Sequence, residues 1–302
     1  MLFTTRVLQM RPTSNCAARC ATCATTSQDD TPNMTLREVE QNLDYFIQTL
    51  GVDELVLAGG EVTMREDFPG LIEAIARRKL RLVTIHSNGQ NWTPEHVRAS
   101  AGVVHRVVIG FTPPNRLDWS RLDGLSNRTI QVIERLQRAG ITVQTNTVPL
   151  RANVGFFPEI ARILRQLQVF APTFTFLFPF RHAPQQLASL IPSWADTKRA
   201  LFAALDLLEP LSPKVKNLPP CYLGEYARFS SKTTQRILVE SRRQFERHAV
   251  IPPFVGMEYF DPCNGCALRP RCDGFWRAYL DSGMFPPLAP VLAEVPPAVV
   301  GC

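Results

Sequence analysis

The sequence predicts an α/β fold in which six strands alternate with helices, followed by a small extension rich in cysteine and proline. Short apolar runs alternate with amphipathic segments as far as Phe180, and glycine or polar turns follow several of the runs. The cysteines fall into two groups, one at each end of the chain. Short connections between successive strands imply parallel pairing with right-handed crossovers. Six such units fit an open (β/α)6 partial barrel, whose functional loops follow the strands.

Each predicted strand is a short apolar run that ends at or near a turn. We predict strands over residues 7–10, 54–58, 82–86, 103–110, 141–148 and 173–178. The intervening segments have apolar residues three and four positions apart, as at Leu36, Val39 and Leu43. This spacing predicts helices over residues 36–50, 71–79, 129–139 and 157–167.

The alternation stops after Phe180. We predict a helix over residues 195–208, a proline-rich linker leading to Cys221, a candidate strand over residues 233–239 and a short helix over residues 275–280. From Phe285 the chain is rich in proline and lacks helical periodicity, so we expect an extended or disordered segment. The predicted regions are therefore residues 1–185, 186–284 and 285–302.

Composition excludes several classes of protein. Hydrophobic residues make up 45% and charged residues 20% of the 302 residues, which is an ordinary balance for a globular protein. No apolar run approaches the roughly 20 residues that cross a bilayer, and no signal peptide is visible. We therefore expect a cytoplasmic protein with no membrane partner. The net charge of +6 comes from scattered arginines without a run of aromatic residues to stack bases, so we do not expect a nucleic-acid partner.

The first cysteine group, Cys16, Cys20 and Cys23, has the spacing C-x₃-C-x₂-C. Three thiolates can hold three corners of a [4Fe–4S] cluster, but they cannot complete a four-cysteine site. A structural zinc ion takes four nitrogen or sulfur ligands. Because no histidine lies within sixty residues after the loop, zinc needs Cys221 or another distant ligand. A non-catalytic zinc or metal-cluster protein stays open as an alternative.

A C-x₃-C-x₂-C loop directly after a first strand resembles the radical S-adenosylmethionine (SAM) superfamily. The resemblance implies that the three cysteines hold a [4Fe–4S] cluster whose remaining iron binds the amino and carboxyl groups of SAM. An electron from an external donor of the flavodoxin or ferredoxin type then splits SAM, and the 5′-deoxyadenosyl radical abstracts a substrate hydrogen. The family usually has a large apolar residue beside the adenine where this chain has Thr22.

The resemblance also assigns SAM-binding residues at the ends of strands. Gly-Gly-Glu after the second strand resembles the family's GGE stretch, where glycines admit the methionine end and the glutamate accepts from its ammonium. Ser-Asn-Gly after the third strand and an asparagine on the fifth resemble positions near the ribose. Ordinary turns or strand ends explain the same residues and stay open. The implied SAM-binding residues are Gly59, Gly60, Glu61, Ser87, Asn88 and Asn146.

The second cysteine group, Cys263, Cys266 and Cys272, has the spacing C-x₂-C-x₅-C. After a radical SAM barrel this spacing resembles the SPASM and twitch extensions, which hold auxiliary [4Fe–4S] clusters. Trp276 stands where the full SPASM pattern has a further cysteine, so the upstream Cys221 is the expected fourth ligand. The alternative is a three-cysteine cluster with an open iron that binds substrate.

The resemblance therefore implies two [4Fe–4S] clusters, SAM and an oxidative modification. A ribosomally made peptide or protein is narrowly favoured as the substrate over a small metabolite such as an amino sugar, nucleoside or cofactor precursor. Only fifteen residues precede Cys16, so we expect any leader-binding domain to be a separate protein. Arg181 and His182 fit either an anion contact at the barrel mouth or a surface loop, and Cys302 fits a spare terminal thiol.

Overall fold

The computed structural model describes residues 6–18, 20, 22–23, 33–111, 125–179, 184–232, 236–239, 249–251 and 256–292. The chain divides into two compact units. The first is Met1–Thr145 with Gln235–Pro252, and the second is Asn146–Thr234 with Pro253–Cys302. The predicted boundaries at residues 185 and 284 separate the expected barrel, the cysteine-rich extension and the C-terminal tail. The division into compact units does not test them, so they stay a prediction.

All six predicted strands are present, and three more follow among the described residues. The strands are β1 Val7–Met10, β2 Glu54–Leu57, β3 Leu82–Ser87, β4 Arg106–Gly110, β5 Thr142–Thr147, β6 Thr173–Thr175, β7 Lys214–Lys216, β8 Arg236–Val239 and β9 Ala249–Ile251. In the first unit the strand order is β5-β4-β3-β2-β1-β8-β9. The pairs β1–β2, β2–β3 and β3–β4 are parallel, as predicted. The candidate strand near residue 236 pairs with β1 in parallel, and β9 pairs with it antiparallel.

Helices follow each of the first six strands, which confirms the predicted α/β fold. They are α1 Leu36–Leu50, α2 Phe68–Ala76, α3 Pro94–Ser100, α4 Leu125–Arg138, α5 Phe157–Gln166, α6 Pro184–Leu190, α7 Trp194–Leu208, α8 Pro220–Leu223 and α9 Arg277–Asp281. The predicted start of α2 was three residues late, because Pro69 favours the first helical turn. The predicted start of α9 was two residues early, because Phe275 forms a β-bridge with Glu258.

The strand register gives the sheet of the first unit two unlike faces. One face is apolar and buried, with each of Leu8, Leu55, Leu57, Val83, Ile85, Val107 and Ile109 at most 2% exposed. The opposite face is mixed: Gln9, Val56, Thr84 and Arg106 share one register row, and His86 and Val108 share the next. Since the strands are parallel, the loops after β1, β2 and β3 meet at one edge of the sheet.

The second unit contains the end of β5 with β6 and β7, paired in parallel. Its core includes an aromatic cluster in which Phe285 lies 5.1–5.8 Å, ring centre to ring centre, from four other rings. Those rings belong to Trp194, Tyr222, Phe275 and Tyr279. The proline-rich segment is therefore non-helical over residues 285–292 and is anchored by two buried side chains, Phe285 and Leu288. Within the described ranges no helix is long and apolar enough to cross a membrane.

Candidate functional site

The loop after β1 presents the three cysteines of the first group. The backbone N–H of Ala18 donates to Cys16 Sγ at 3.4 Å, and the N–H of Cys23 donates to the carbonyl of Cys20 at 3.1 Å. Partial burial of its thiol and the nearby thiols of Cys23 and Cys16 raise the pKa of Cys20. The Cys20 sulfur is thus close enough to the other two sulfurs for negative charge there to disfavour its thiolate, an effect that bound iron relieves.

Gly59 and Gly60 pack directly against the backbone that leads into the cysteines. The N–H of Gly60 donates to the Thr13 carbonyl at 2.8 Å, and the N–H of Glu61 donates to the Asn15 carbonyl at 2.6 Å. A Cβ at Gly60 would lie 2.2 Å from the Asn15 oxygen, and one at Gly59 would lie 2.6 Å from the Thr13 oxygen. The glycines are therefore required for contact with the cysteine loop, a reason that the sequence interpretation did not include.

Arg65 braces the same loop and was not singled out from the sequence. Its side chain is only 4% exposed and forms two parallel hydrogen bonds to the Asp67 carboxylate at 2.8 and 2.7 Å. Its remaining terminal nitrogen donates to the Pro12 carbonyl at 2.7 Å. An arginine four residues after Glu61 gives no sequence signal for this contact, because Pro12 is 53 positions away.

The Glu61 carboxylate is buried and joins the loops after β2 and β3. Its Oε1 accepts from the Thr63 hydroxyl at 2.7 Å and the Ser87 hydroxyl at 2.9 Å, and its Oε2 accepts from the Asn88 N–H at 2.7 Å. Oε2 retains room for one further donor. The Ser87 oxygen also accepts from Gly89 N–H and Trp92 Nε1–H, at 3.0 and 2.9 Å. The Ser87 hydroxyl is therefore committed to holding the turn.

Asn88 points toward the cysteine loop. Its Oδ1 accepts from the Gln90 N–H at 2.8 Å, which closes an Asx turn. Its Nδ2 donates to Cys16 Sγ at 3.7 Å. The sequence placed Asn88 near SAM but gave no indication of this contact with a cysteine.

The first unit therefore brings together all the predicted residues that precede Asn146. Asn146 belongs to the second unit, where its Oδ1 accepts from the Thr175 hydroxyl at 2.6 Å. Arg181, His182 and Cys302 lie outside the described residues.

The donor set of the first unit fits a [4Fe–4S] cluster with one open iron. Three thiols lie on one loop, and the glycines keep that loop against the next strand end. A cluster gives each thiolate its own iron, whereas zinc takes all its ligands on one atom.

The four cysteines of the second unit line one open cavity. They are Cys221, Cys263, Cys266 and Cys272. Tyr259, Arg269 and residues 288–290 are also among the lining residues, and none of these was predicted to lie there. The Tyr259 hydroxyl donates to the Cys272 carbonyl at 2.8 Å, and the Arg269 guanidinium lies 4.7 Å from the Tyr259 ring centre.

The thiols in this cavity are electrostatically coupled. Burial, followed by the nearby thiols of Cys272, Cys266 and Cys263, raises the pKa of Cys221 to about 12. Burial also raises the pKa of Cys272, against the opposing effect of the Gly274 N–H, which donates to its sulfur at 3.3 Å. A thiol in this setting needs a cation or metal cluster to lose its proton at neutral pH. This four-thiol donor set fits a fully ligated [4Fe–4S] cluster.

The family model described as "Radical SAM superfamily" matches residues 10–164. The GTP 3′,8-cyclase of Caulobacter vibrioides is 28% identical over 164 residues, which cover 51% of this chain and 46% of that protein. The AdoMet-dependent heme synthase of Methanosarcina barkeri is 27% identical over 180 residues, covering 58% of this chain and 51% of that protein. The chain thus spans about half the length of the curated relatives it matches.

Solved structures match over more of the chain. The structure of anSMEcpe with bound AdoMet and Cp18Cys peptide has a TM-score of 0.60 at 15% identity, covering 91% of this chain and 90% of that chain. Streptococcus suis SuiB bound to the precursor peptide SuiA has a TM-score of 0.57 at 16% identity, covering 78% and 57%. At these identities the likeness shows the fold.

The matched family range includes the three cysteines of the first group and every predicted SAM-binding residue. It covers about half of the 302 residues and coincides with the alternating strands and helices. The family implies a [4Fe–4S] cluster and SAM. The chain belongs to the radical SAM superfamily, has its α/β core fold, and is an enzyme.

Proposed function

We propose that this radical SAM enzyme uses two [4Fe–4S] clusters to modify a ribosomally made peptide or protein oxidatively. The observation that carries the proposal is the meeting of four cysteines at one cavity of the second unit, apart from the three that serve the first cluster. When bound, the first cluster supplies the electron that splits SAM, and the second supplies an electron acceptor for an oxidation.

The residues of the first unit have positioning roles in this proposal. Cys16, Cys20 and Cys23 would hold the first cluster. Glu61 offers the remaining acceptor capacity of Oε2 to the SAM ammonium. The glycines before it hold the cysteine loop at the strand end. Asn146 belongs to the second unit, and its role as a ribose-contacting residue is proposed on the family pattern alone.

The residues of the second unit would hold the auxiliary cluster. The shared cavity favours ligation by all four cysteines over a three-cysteine cluster with an open iron, because Cys221 lines the same space as the others. None of the seven described cysteines forms a disulfide with another described residue. A reducing compartment maintains such thiols, so we place the protein in the cytoplasm, with an external electron donor.

A peptide substrate is supported by two peptide-bound structures with the same fold, anSMEcpe with Cp18Cys peptide and SuiB with the precursor peptide SuiA. The support is one of fold, because the identities are 15% and 16%. The second candidate substrate is a small metabolite. It is supported by the two curated relatives, a GTP 3′,8-cyclase and a heme synthase, whose names indicate small-molecule reactions.

Co-expression tests the substrate class. The enzyme and each short open reading frame beside its gene are expressed together, and the peptides are examined by mass spectrometry. The proposal predicts a peptide that has lost two hydrogen atoms, and no loss with Cys16→Ala/Cys20→Ala/Cys23→Ala enzyme. Unmodified peptides, together with SAM cleavage that is stimulated by GTP or a porphyrin, would favour the metabolite candidate instead.

A further inference from the structure

The hydrogen bonds around Asn88 lead to a role that SAM binding does not include. Asn88 Nδ2 donates to Cys16 Sγ at 3.7 Å, and Ala18 N–H donates to the same sulfur at 3.4 Å. Cys16 therefore receives one donor from its own loop and one from the loop after β3. Each of the two Asn88 side-chain polar atoms has a partner, because Oδ1 accepts from the Gln90 N–H at 2.8 Å.

Glu61 fixes both partners of the Asn88–Cys16 contact. Its backbone N–H donates to the Asn15 carbonyl, one residue before Cys16, at 2.6 Å. Its Oε2 accepts the backbone N–H of Asn88 at 2.7 Å. One buried residue, 1% exposed, thus sets the separation between the amide donor and the sulfur.

The chemical consequence concerns the reduction potential of a cluster held by Cys16. Hydrogen bonds to the cysteine sulfurs are among the factors that set the potentials of iron–sulfur clusters. One-electron reduction makes the cluster and its thiolates more negative, so an N–H donor stabilises the reduced form more than the oxidised form. Removing the donor therefore lowers the potential and makes reduction harder.

We propose that Asn88 is a positioning residue that, held by Glu61, donates an N–H to the Cys16 thiolate and raises the reduction potential of the first cluster. The proposal rests on the proposed function only in requiring a cluster at Cys16, Cys20 and Cys23. The second Nδ2 hydrogen stays available to SAM, so this role is compatible with SAM binding.

Asn88→Ser keeps the turn but removes the side-chain N–H that donates to Cys16. A serine hydroxyl still accepts from Gln90 N–H in an ST turn, but it is too short to reach Cys16. Gln90→Ser is the matched control, because Gln90 contributes its backbone N–H to the Asx turn. Full-length, reconstituted wild type and both variants are titrated with dithionite under EPR, without SAM, on the signal that SAM perturbs.

We expect the midpoint potential of Asn88→Ser to shift below that of the wild type, while Gln90→Ser keeps the wild-type value. An unchanged potential in Asn88→Ser with full iron content would overturn the proposal. If Asn88→Ser does not retain the cluster, the uncharged Asn88→Thr likewise keeps a hydroxyl acceptor for the turn and removes the amide donor, and a wild-type potential there overturns it equally. A wild type without any SAM-sensitive cluster would instead refute the proposed function.

Discussion

The backbone N–H of Asn88 donates to the buried Glu61 carboxylate at 2.7 Å, which ties the loop after β3 to the loop after β2. The same glutamate also holds the cysteine loop through its own N–H. The Gly-Gly-Glu segment therefore joins the loops after β1, β2 and β3. Contacts of this kind can be tested in the metal-free protein, independently of catalysis.

The Glu61 carboxylate accepts hydrogen bonds from the Thr63 and Ser87 hydroxyls and the Asn88 N–H. Glutamine at this position would place its NH₂ group, a donor, against these donors. A buried polar group without a partner costs about 1–3 kcal/mol, so Glu61→Gln should lower the free energy of unfolding by that amount. Urea unfolding of the metal-free protein measures it. The nearby, exposed Glu66→Gln should change it by less than about 0.5 kcal/mol. Equal effects of the two substitutions would contradict the role given to Glu61.

Gly60→Ala should displace the cysteine loop, because its Cβ would lie 2.2 Å from the Asn15 carbonyl oxygen. Overpacking of this kind costs about 1–3 kcal/mol. We expect a lower melting temperature and less iron bound after reconstitution. Gly155→Ala is the control, since its Cβ would meet no atom within 4 Å. Wild-type iron content in Gly60→Ala would show that the loop accommodates a methyl group at no cost.

Cys221→Ala separates the four-thiol cluster from the three-thiol alternative. If Cys221 ligates, the variant should lose iron from the second cluster or show an altered EPR signal for it, while the SAM-sensitive signal stays unchanged. Cys302→Ala, which removes the terminal thiol, should keep full iron content. A Cys221→Ala protein with the wild-type iron content and both wild-type signals would support the open-iron alternative.

The raised pKa of Cys221 predicts a pH effect in the metal-free protein. The folded state keeps the thiol proton to a pKa of about 12, whereas the unfolded chain loses it near the ordinary value of 9.0. The unfolded state binds fewer protons between these values, so this group's stability contribution falls as pH rises from 9 to 12. Urea midpoints with chelator and reductant should fall more steeply for wild type than for Cys221→Ala. If the urea midpoint falls equally steeply with pH in both proteins, the raised pKa of Cys221 is contradicted.

Phe285 anchors the proline-rich segment in the aromatic cluster and is 4% exposed. Phe285→Ala should destabilise the second unit by about 3–5 kcal/mol, the usual cost of deleting a buried phenylalanine side chain. Leu292→Ala, at a residue 81% exposed, should have little effect. Thermal unfolding compares them. Because residues 288–290 line the cavity, we also expect Phe285→Ala to bind less iron at the second site.

The fold was predictable because its signals are local. The apolar spacing from Leu36 to Leu50 gave the bounds of α1, and the apolar run from Val7 to Met10 gave those of β1. Helix α3 was missed, although Thr93 caps it and Pro94 begins it, because its seven residues are too few for a clear apolar period. The pairing of β8 with β1 is a long-range contact that no local pattern encodes.

Only the site residues that belong to a motif with a recognisable spacing could be predicted. The cysteines were found by their spacing and Glu61 by its glycines. The Arg65–Pro12 and Asn88–Cys16 contacts join residues 53 and 72 positions apart, so only the folded chain reveals them. The glycines were assigned to SAM, yet the described contacts give them a second role against the cysteine loop.

Metal analysis with EPR of the reduced protein tests the central claim most directly. The protein is reconstituted without oxygen, iron and sulfide are measured per chain, and spectra are recorded with and without SAM. The two-cluster account predicts about eight irons and one signal that SAM perturbs. About four irons with the SAM effect would contradict the second cluster, and zinc in place of iron would contradict the proposed chemistry as a whole.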